Sequence, residues 1–67
     1  MTAENLRTEV TETVDVATVE IEASLRMLRG AQVKANAAGT GGGREIALAI
    51  TNIETGLLWL REGAQKI

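Results

Sequence analysis

The sequence contains no cysteine, no histidine and a single aromatic residue, Trp59. Without cysteine there is no disulfide, and without cysteine or histidine the usual zinc sites are excluded. The same two absences remove the commonest general base and the strongest nucleophile, so we expect neither catalytic residues nor enzyme activity. No cofactor or metal site is predicted, because carboxylate pairs such as Glu9 and Glu12 are typical of a solvated helix face.

Long hydrophobic runs are also missing. None approaches the roughly 20 apolar residues that span a bilayer, and no signal peptide is visible, so we expect a cytoplasmic protein without membrane partners. A chain this short buries only about 60% of its unfolded surface, and disulfides and metals cannot make up the deficit. Oligomerisation is the remaining route to stability, so residues 1–67 are predicted to form one domain of a homo-oligomer.

The net charge of −2 conceals an uneven distribution. Residues 1–22 carry six acids and one base, Arg7, whereas residues 23–44 carry four bases and no acid. The acids are Glu4, Glu9, Glu12, Asp15, Glu20 and Glu22, and the bases are Arg26, Arg29, Lys34 and Arg44. The basic zone indicates an anionic partner; the alternative is complementarity to helix dipoles. The negative net charge and the lone aromatic argue against long nucleic acid as that partner.

Apolar residues recur at helical spacing in two segments. They predict helix 1 over about residues 4–29 and helix 2 over about residues 44–65. The heptad seams are Leu6, Val10, Val14, Ala17, Ile21, Leu25 and Leu28, and Ile46, Ile50, Ile53, Leu57, Leu60, Ala64 and Ile67. Gly30 is a plausible C-cap, although the next turn or two could extend helix 1. Residues from about 30 to 43 are predicted to form a glycine-rich loop.

Two such seams predict an all-α fold, an antiparallel two-helix hairpin. Each helix also carries apolar residues that its hairpin partner cannot cover. They are Val16, Val19, Ala23 and Met27 on helix 1, and Leu48, Leu58 and Trp59 on helix 2. Because exposed apolar stripes mark association surfaces, we expect the hairpin to assemble into a homo-oligomeric helical bundle.

A glycine tract leads into helix 2 and ends at Arg44. The first N–H groups of a helix suit an anion, and a guanidinium pairs with phosphate. The tract lacks the Lys-Ser/Thr pair and the preceding strand of a nucleotide-triphosphate loop. Projection at 100° per residue places Arg44, Leu48, Thr51 and Thr55 on the face opposite the seam. This face could form a phosphate clamp; alternatively it is an oligomer interface whose threonine hydroxyls bond to backbone carbonyls.

The segment from Arg44 to Trp59 follows the pattern R-E-x-A-L-A-x-T-x-x-E-x-x-x-x-W. It resembles the C-terminal helix of the phage cyclic-nucleotide sponge hairpin family. These are the anti-CBASS and anti-Thoeris proteins that sequester bacterial immune signalling nucleotides. The family pattern differs in having serine where Ala47 stands, a second glutamate where Thr55 stands, and a short Pro-Ser connection where this chain has glycines.

The resemblance implies a homo-oligomer in the host cytoplasm, often a hexamer. It would bind cyclic di- or trinucleotides, or cyclic ADP-ribose-type signals, between subunits without cleaving them. Arg44 and Thr51 match the family motif and are the best candidates for ligand contact, with Leu48 on the same face. Three further candidates come from charge and proximity alone: Lys34, Thr40 and Arg29. The alternative function is a structural or interaction hairpin that oligomerises or inhibits a host protein.

Overall fold

A computed structural model describes residues 2–67, which form two α-helices and no strand. Helix α1 spans Ala3–Ala38 and helix α2 spans Gly43–Gln65. The two helices pack against each other in a rod of 54 × 15 × 14 Å. The predicted all-α hairpin is therefore confirmed.

Helix α1 begins at a side-chain cap. The Thr2 hydroxyl accepts a hydrogen bond from the backbone N–H of Asn5 at 3.1 Å, and Glu4 lies in the first turn, where the helix dipole favours an acid. Further along, three threonine hydroxyls donate to the carbonyl four residues back; these are Thr8, Thr13 and Thr18. A segment rich in β-branched residues is thus helical, and these three hydroxyls are bonded to the helix backbone.

The end of helix 1 differs from the expectation. It does not end near Arg29, and Gly30 is not its C-cap, so the predicted loop of about 30–43 is wrong over its first part. Helix α1 continues to Ala38, and Gly39 caps it in the left-handed conformation with a φ of 65°. The glycine supplies this conformation without the steric cost that a β-carbon would bring.

Contact with α2 explains why α1 passes through Gly30. A glycine inside a helix costs about 1 kcal/mol relative to alanine. Gln32 and Ala35 continue the seam spacing after Leu28, and both are half-buried, although the first of them is polar. Because the face of α1 toward α2 stays partly covered beyond the glycine, packing of this last part of the helix offsets the local cost.

The connection between the helices contains only residues 39–42. Gly41 and Gly42 have φ values of 82° and 81°, which a side chain would strain. Helix α2 begins at Gly43, one residue before the predicted start, and a β-carbon there would collide with the side-chain amide of Asn36. Glycine at these positions therefore permits a tight turn.

The core lies where the two predicted seams meet. Its buried members are Leu25, Ile50 and Leu57, which are 3%, 7% and 5% exposed. The half-buried side chains packed against them are Ile21, Leu28, Ile46, Ile53 and Leu60. All eight belong to the seams expected from the heptad spacing, so the faces that pack together are those predicted.

Helix α1 is much longer than its partner. It has 36 residues against 23 in α2, a difference of roughly 20 Å at 1.5 Å per residue. The pairing of Arg61 with Glu22 places the end of α2 close to Ala17. Residues 3–13, which we call the overhang, therefore extend past α2, and its seam residues Leu6 and Val10 remain 49% and 47% exposed.

Candidate functional site

The candidate ligand surface lies on α2, on the side away from the hairpin core. We call this surface, formed by Arg44, Leu48, Thr51 and Thr55, the outer face. All four side chains are exposed. Arg44 and Thr51 lie about two turns apart, roughly 10 Å along the helix axis. The structure thus brings together three of the predicted site residues on one accessible surface.

Arg44 lies in the first turn of α2. The N-cap residue, Gly42, has no side chain to bond the first N–H groups, so these groups stay available to a ligand. Among residues 2–67, Arg44 forms neither an ion pair nor a side-chain hydrogen bond. An exposed guanidinium therefore sits beside the positive end of the helix dipole.

Thr51 has its hydroxyl hydrogen already engaged. It donates to the carbonyl of Ala47 at 3.1 Å, and Thr55 donates to the carbonyl of Thr51 at 3.0 Å. This bonding is what the interface alternative expects. Oxygen lone pairs remain for an amino or hydroxyl donor of a ligand, whereas donation to a phosphate requires Thr51 to rotate away from Ala47.

The other three predicted site residues lie elsewhere. Arg29, on α1, has its Nη2 atom 2.5 Å from an Oε2 atom of Glu54, so its charge is already partnered. Lys34 is exposed near the end of α1. Thr40 lies in the connection and donates its hydroxyl to the carbonyl of Gly41. None of the three is on α2 with Arg44.

A groove along one flank of the hairpin was not predicted. Its volume is about 390 Å³. It is lined by Glu22, Leu25, Arg26, Arg29, Glu54, Leu57, Leu58 and Arg61. Two ion pairs cross between the helices here. Arg29 of α1 pairs with Glu54 of α2, and Arg61 of α2 pairs with Glu22 of α1 at 3.1 Å. In both pairs the two residue numbers add to the same total, as they do for facing residues of antiparallel helices. The sequence can predict such pairs only once the length of the connection is known.

These ion pairs have a structural role. Their side chains are about half exposed, and exposed pairs contribute about 1 kcal/mol or less. Because the arginine is on α1 in one pair and on α2 in the other, the two pairs favour the register in which these residues face each other. Arg26 lines the same groove and forms no ion pair among the described residues, which makes it a suitable control for Arg44.

Two kinds of site are not found within residues 2–67. No group of three acidic side chains is placed to hold a metal ion. Neither helix contains a stretch long and apolar enough to cross a membrane.

Comparison of the chain with models of protein families, with characterised proteins and with solved structures finds no match. The resemblance of residues 44–59 to the sponge hairpins therefore stays a prediction.

Proposed function

We propose that the protein is a non-enzymatic sponge that binds a cyclic nucleotide second messenger between subunits and holds it intact. The observation that carries this proposal is Arg44, exposed and without an ion pair at the start of α2, on one face with Leu48 and Thr51. An arginine fork binds phosphate through two hydrogen bonds, and the helix N-terminus adds partial positive charge. Holding the nucleotide inhibits signalling because it lowers the free concentration.

A single hairpin offers only part of such a site. Ligand pockets bury roughly 70–90% of a small molecule, and the outer face of α2 is open on one side. The site is completed when other subunits bring their own Arg44. Three Arg44 side chains around a symmetry axis would match the three phosphates of a cyclic trinucleotide.

Exposed apolar side chains supply surfaces for that assembly, for which we propose a hexamer in the host cytoplasm. On α1, Val16, Val19 and Met27 are 58%, 66% and 75% exposed. On α2, Leu58 and Trp59 are 64% and 73% exposed beside the outer face. Patches of this kind are typical of association surfaces. The sequence resemblance, which carries Arg44 and Thr51 onto the ligand-contacting motif, supports the same assembly and ligand class.

Calorimetry against a panel of cyclic dinucleotides, cyclic trinucleotides and cyclic ADP-ribose-type nucleotides tests the proposal. We expect binding heat with at least one of them, and recovery of that nucleotide unaltered after denaturation. Arg44→Ala should abolish the heat while the oligomer mass stays unchanged in native mass spectrometry. Arg26→Ala removes another exposed arginine from a different surface and should bind as the wild type does.

The absence of binding heat with every nucleotide of the panel would overturn the sponge proposal. So would equal losses in Arg44→Ala and Arg26→Ala, because binding would then depend on overall charge rather than on the outer face. Conversion of the nucleotide during incubation would replace the sponge with an enzyme.

A structural or interaction hairpin is the second candidate. It is compatible with the bonding of Thr51 and Thr55, whose hydroxyls are satisfied by backbone carbonyls and need no ligand. A host protein retained at fixed stoichiometry, together with a silent nucleotide panel, would favour this function.

A further inference from the structure

The overhang carries an apolar strip that continues the hairpin interface. Leu6 and Val10 lie on the same seam as the buried Leu25, yet both are about half exposed. Projection places Ala3 and Thr13 beside them, with Arg7 at one edge of the strip, and Glu9 borders the same surface depression as Leu6 and Val10 at the other edge. Of the acids of the overhang, Glu4 and Glu12 lie on its other side, more than about 100° from the centre of the seam.

We propose that the overhang of a second copy of this chain packs antiparallel onto this strip. Leu6 of each copy then faces Val10 of the other. The second copy packs on the same face of α1 that α2 covers farther along the helix. Each overhang thereby covers the other over the same 11 residues, 3–13, and Glu4 and Glu12 of both copies stay on the outside. The occupant is the same segment because its length and its apolar face are complementary to themselves.

The position of α2 excludes the parallel arrangement. A copy running parallel to α1 on this face would continue, beyond the overhang, into the space that α2 occupies alongside residues 17–35. An antiparallel copy instead enters in line with α2 and continues past the start of α1, where no described residue lies in its path. The resulting contact has twofold symmetry, so it is satisfied by two copies and does not propagate into a filament.

The dimer has a definite shape. Each α1 lies in line with the α2 of the other copy, and the two hairpins form one continuous two-helix rod with their connections at opposite ends. An interface of two overhangs is short compared with standard protein interfaces, so the dimer should be weak and dependent on concentration. This pairing does not require a nucleotide and stands independently of the sponge proposal.

Disulfide trapping tests the pairing, and the chain has no cysteine of its own to interfere. The variant carrying Leu6→Cys and Val10→Cys should form a covalent dimer under mild oxidation of the folded protein. Thr8→Cys with Glu12→Cys has the same spacing on the outer side of the overhang and should stay monomeric on the gel. Equal crosslinking of the two double variants would overturn the proposal, as would none in either.

A charge placed in the strip provides the second measurement. Val10→Lys should raise the dissociation constant of the dimer by about 100-fold or more, since an ammonium would be buried without a partner. Thr8→Lys adds the same charge on the outer side and should leave the constant unchanged. Neither change touches the α1–α2 core. Each variant, measured as a monomer by circular dichroism, should therefore keep the helix content of the wild type. Equal dimerisation of Val10→Lys and the wild type in sedimentation would contradict the inference.

Discussion

The two parts of α1 carry one apolar pattern but meet different surroundings. From Ala17 onward the seam packs against α2 and buries Leu25 to 3% exposure. In the overhang the same spacing leaves Leu6 and Val10 about half exposed. The pattern identifies the face of a helix that seeks a partner. The length and register of the partner decide how much of that face is buried.

We call the part of α1 from Ala17 onward, which packs against α2, the paired part. The largest expected effect comes from truncating a side chain in its core. Leu25→Ala should cost about 3 kcal/mol, because it removes a buried side chain and leaves a cavity in a core with only three buried members. For a hairpin this small we expect loss of the cooperative thermal transition in circular dichroism.

The matched truncation in the overhang is Val10→Ala. At concentrations where the chain is monomeric it should lower the free energy of unfolding by less than about 1 kcal/mol, because the side chain is already half exposed. Similar losses for Leu25→Ala and Val10→Ala would mean that the paired part and the overhang are not energetically different.

The glycines test where the paired part ends, with changes of opposite sign. Gly39→Ala should destabilise the hairpin by about 1 kcal/mol, since alanine is strained at a φ of 65°. Gly30→Ala should stabilise it by roughly 0.5–1 kcal/mol, because a β-carbon there meets no atom within 4 Å and alanine favours the helix. Both are measured by urea unfolding. A helix that ended at Gly30 would instead make Gly30→Ala the destabilising change.

The smallest effect concerns the register of the paired part. A double-mutant cycle of Arg29→Gln and Glu54→Gln should give a coupling free energy of about 1 kcal/mol or less, because the pair is exposed. The coupling should decrease as salt is added. Glu12, in the overhang, forms no ion pair among residues 2–67, so Glu12→Gln should leave stability unchanged within about 0.5 kcal/mol. A coupling insensitive to salt would show that the contact is not mainly electrostatic.

The sequence predicts the hairpin well because its signal is local. Heptad spacing alone identifies Leu25, Ile50 and Leu57 as facing the partner helix, and these three are the buried residues. The end of α1 escapes prediction because it depends on nonlocal contacts. Glycine is typical of a helix C-cap, and only the packing of the residues after Gly30 keeps the chain helical there.

The candidate site divides in the same way. That Arg44, Leu48 and Thr51 share an exposed face follows from projection of a single helix. That Arg29 is held by Glu54 depends on the register between two helices, which the length of the connection determines. The connection begins at Gly39 rather than at the expected Gly30, and an error of this size in the end of α1 hides which charges of α1 face those of α2.

Trp59, the only aromatic residue, is 73% exposed beside the outer face of α2. Its fluorescence in an isolated chain should resemble that of an indole in water, and it should change little when the hairpin unfolds. A blue shift or altered quenching would instead report that this surface has become covered. The chain thus carries a built-in optical probe that responds to assembly or ligand binding rather than to folding.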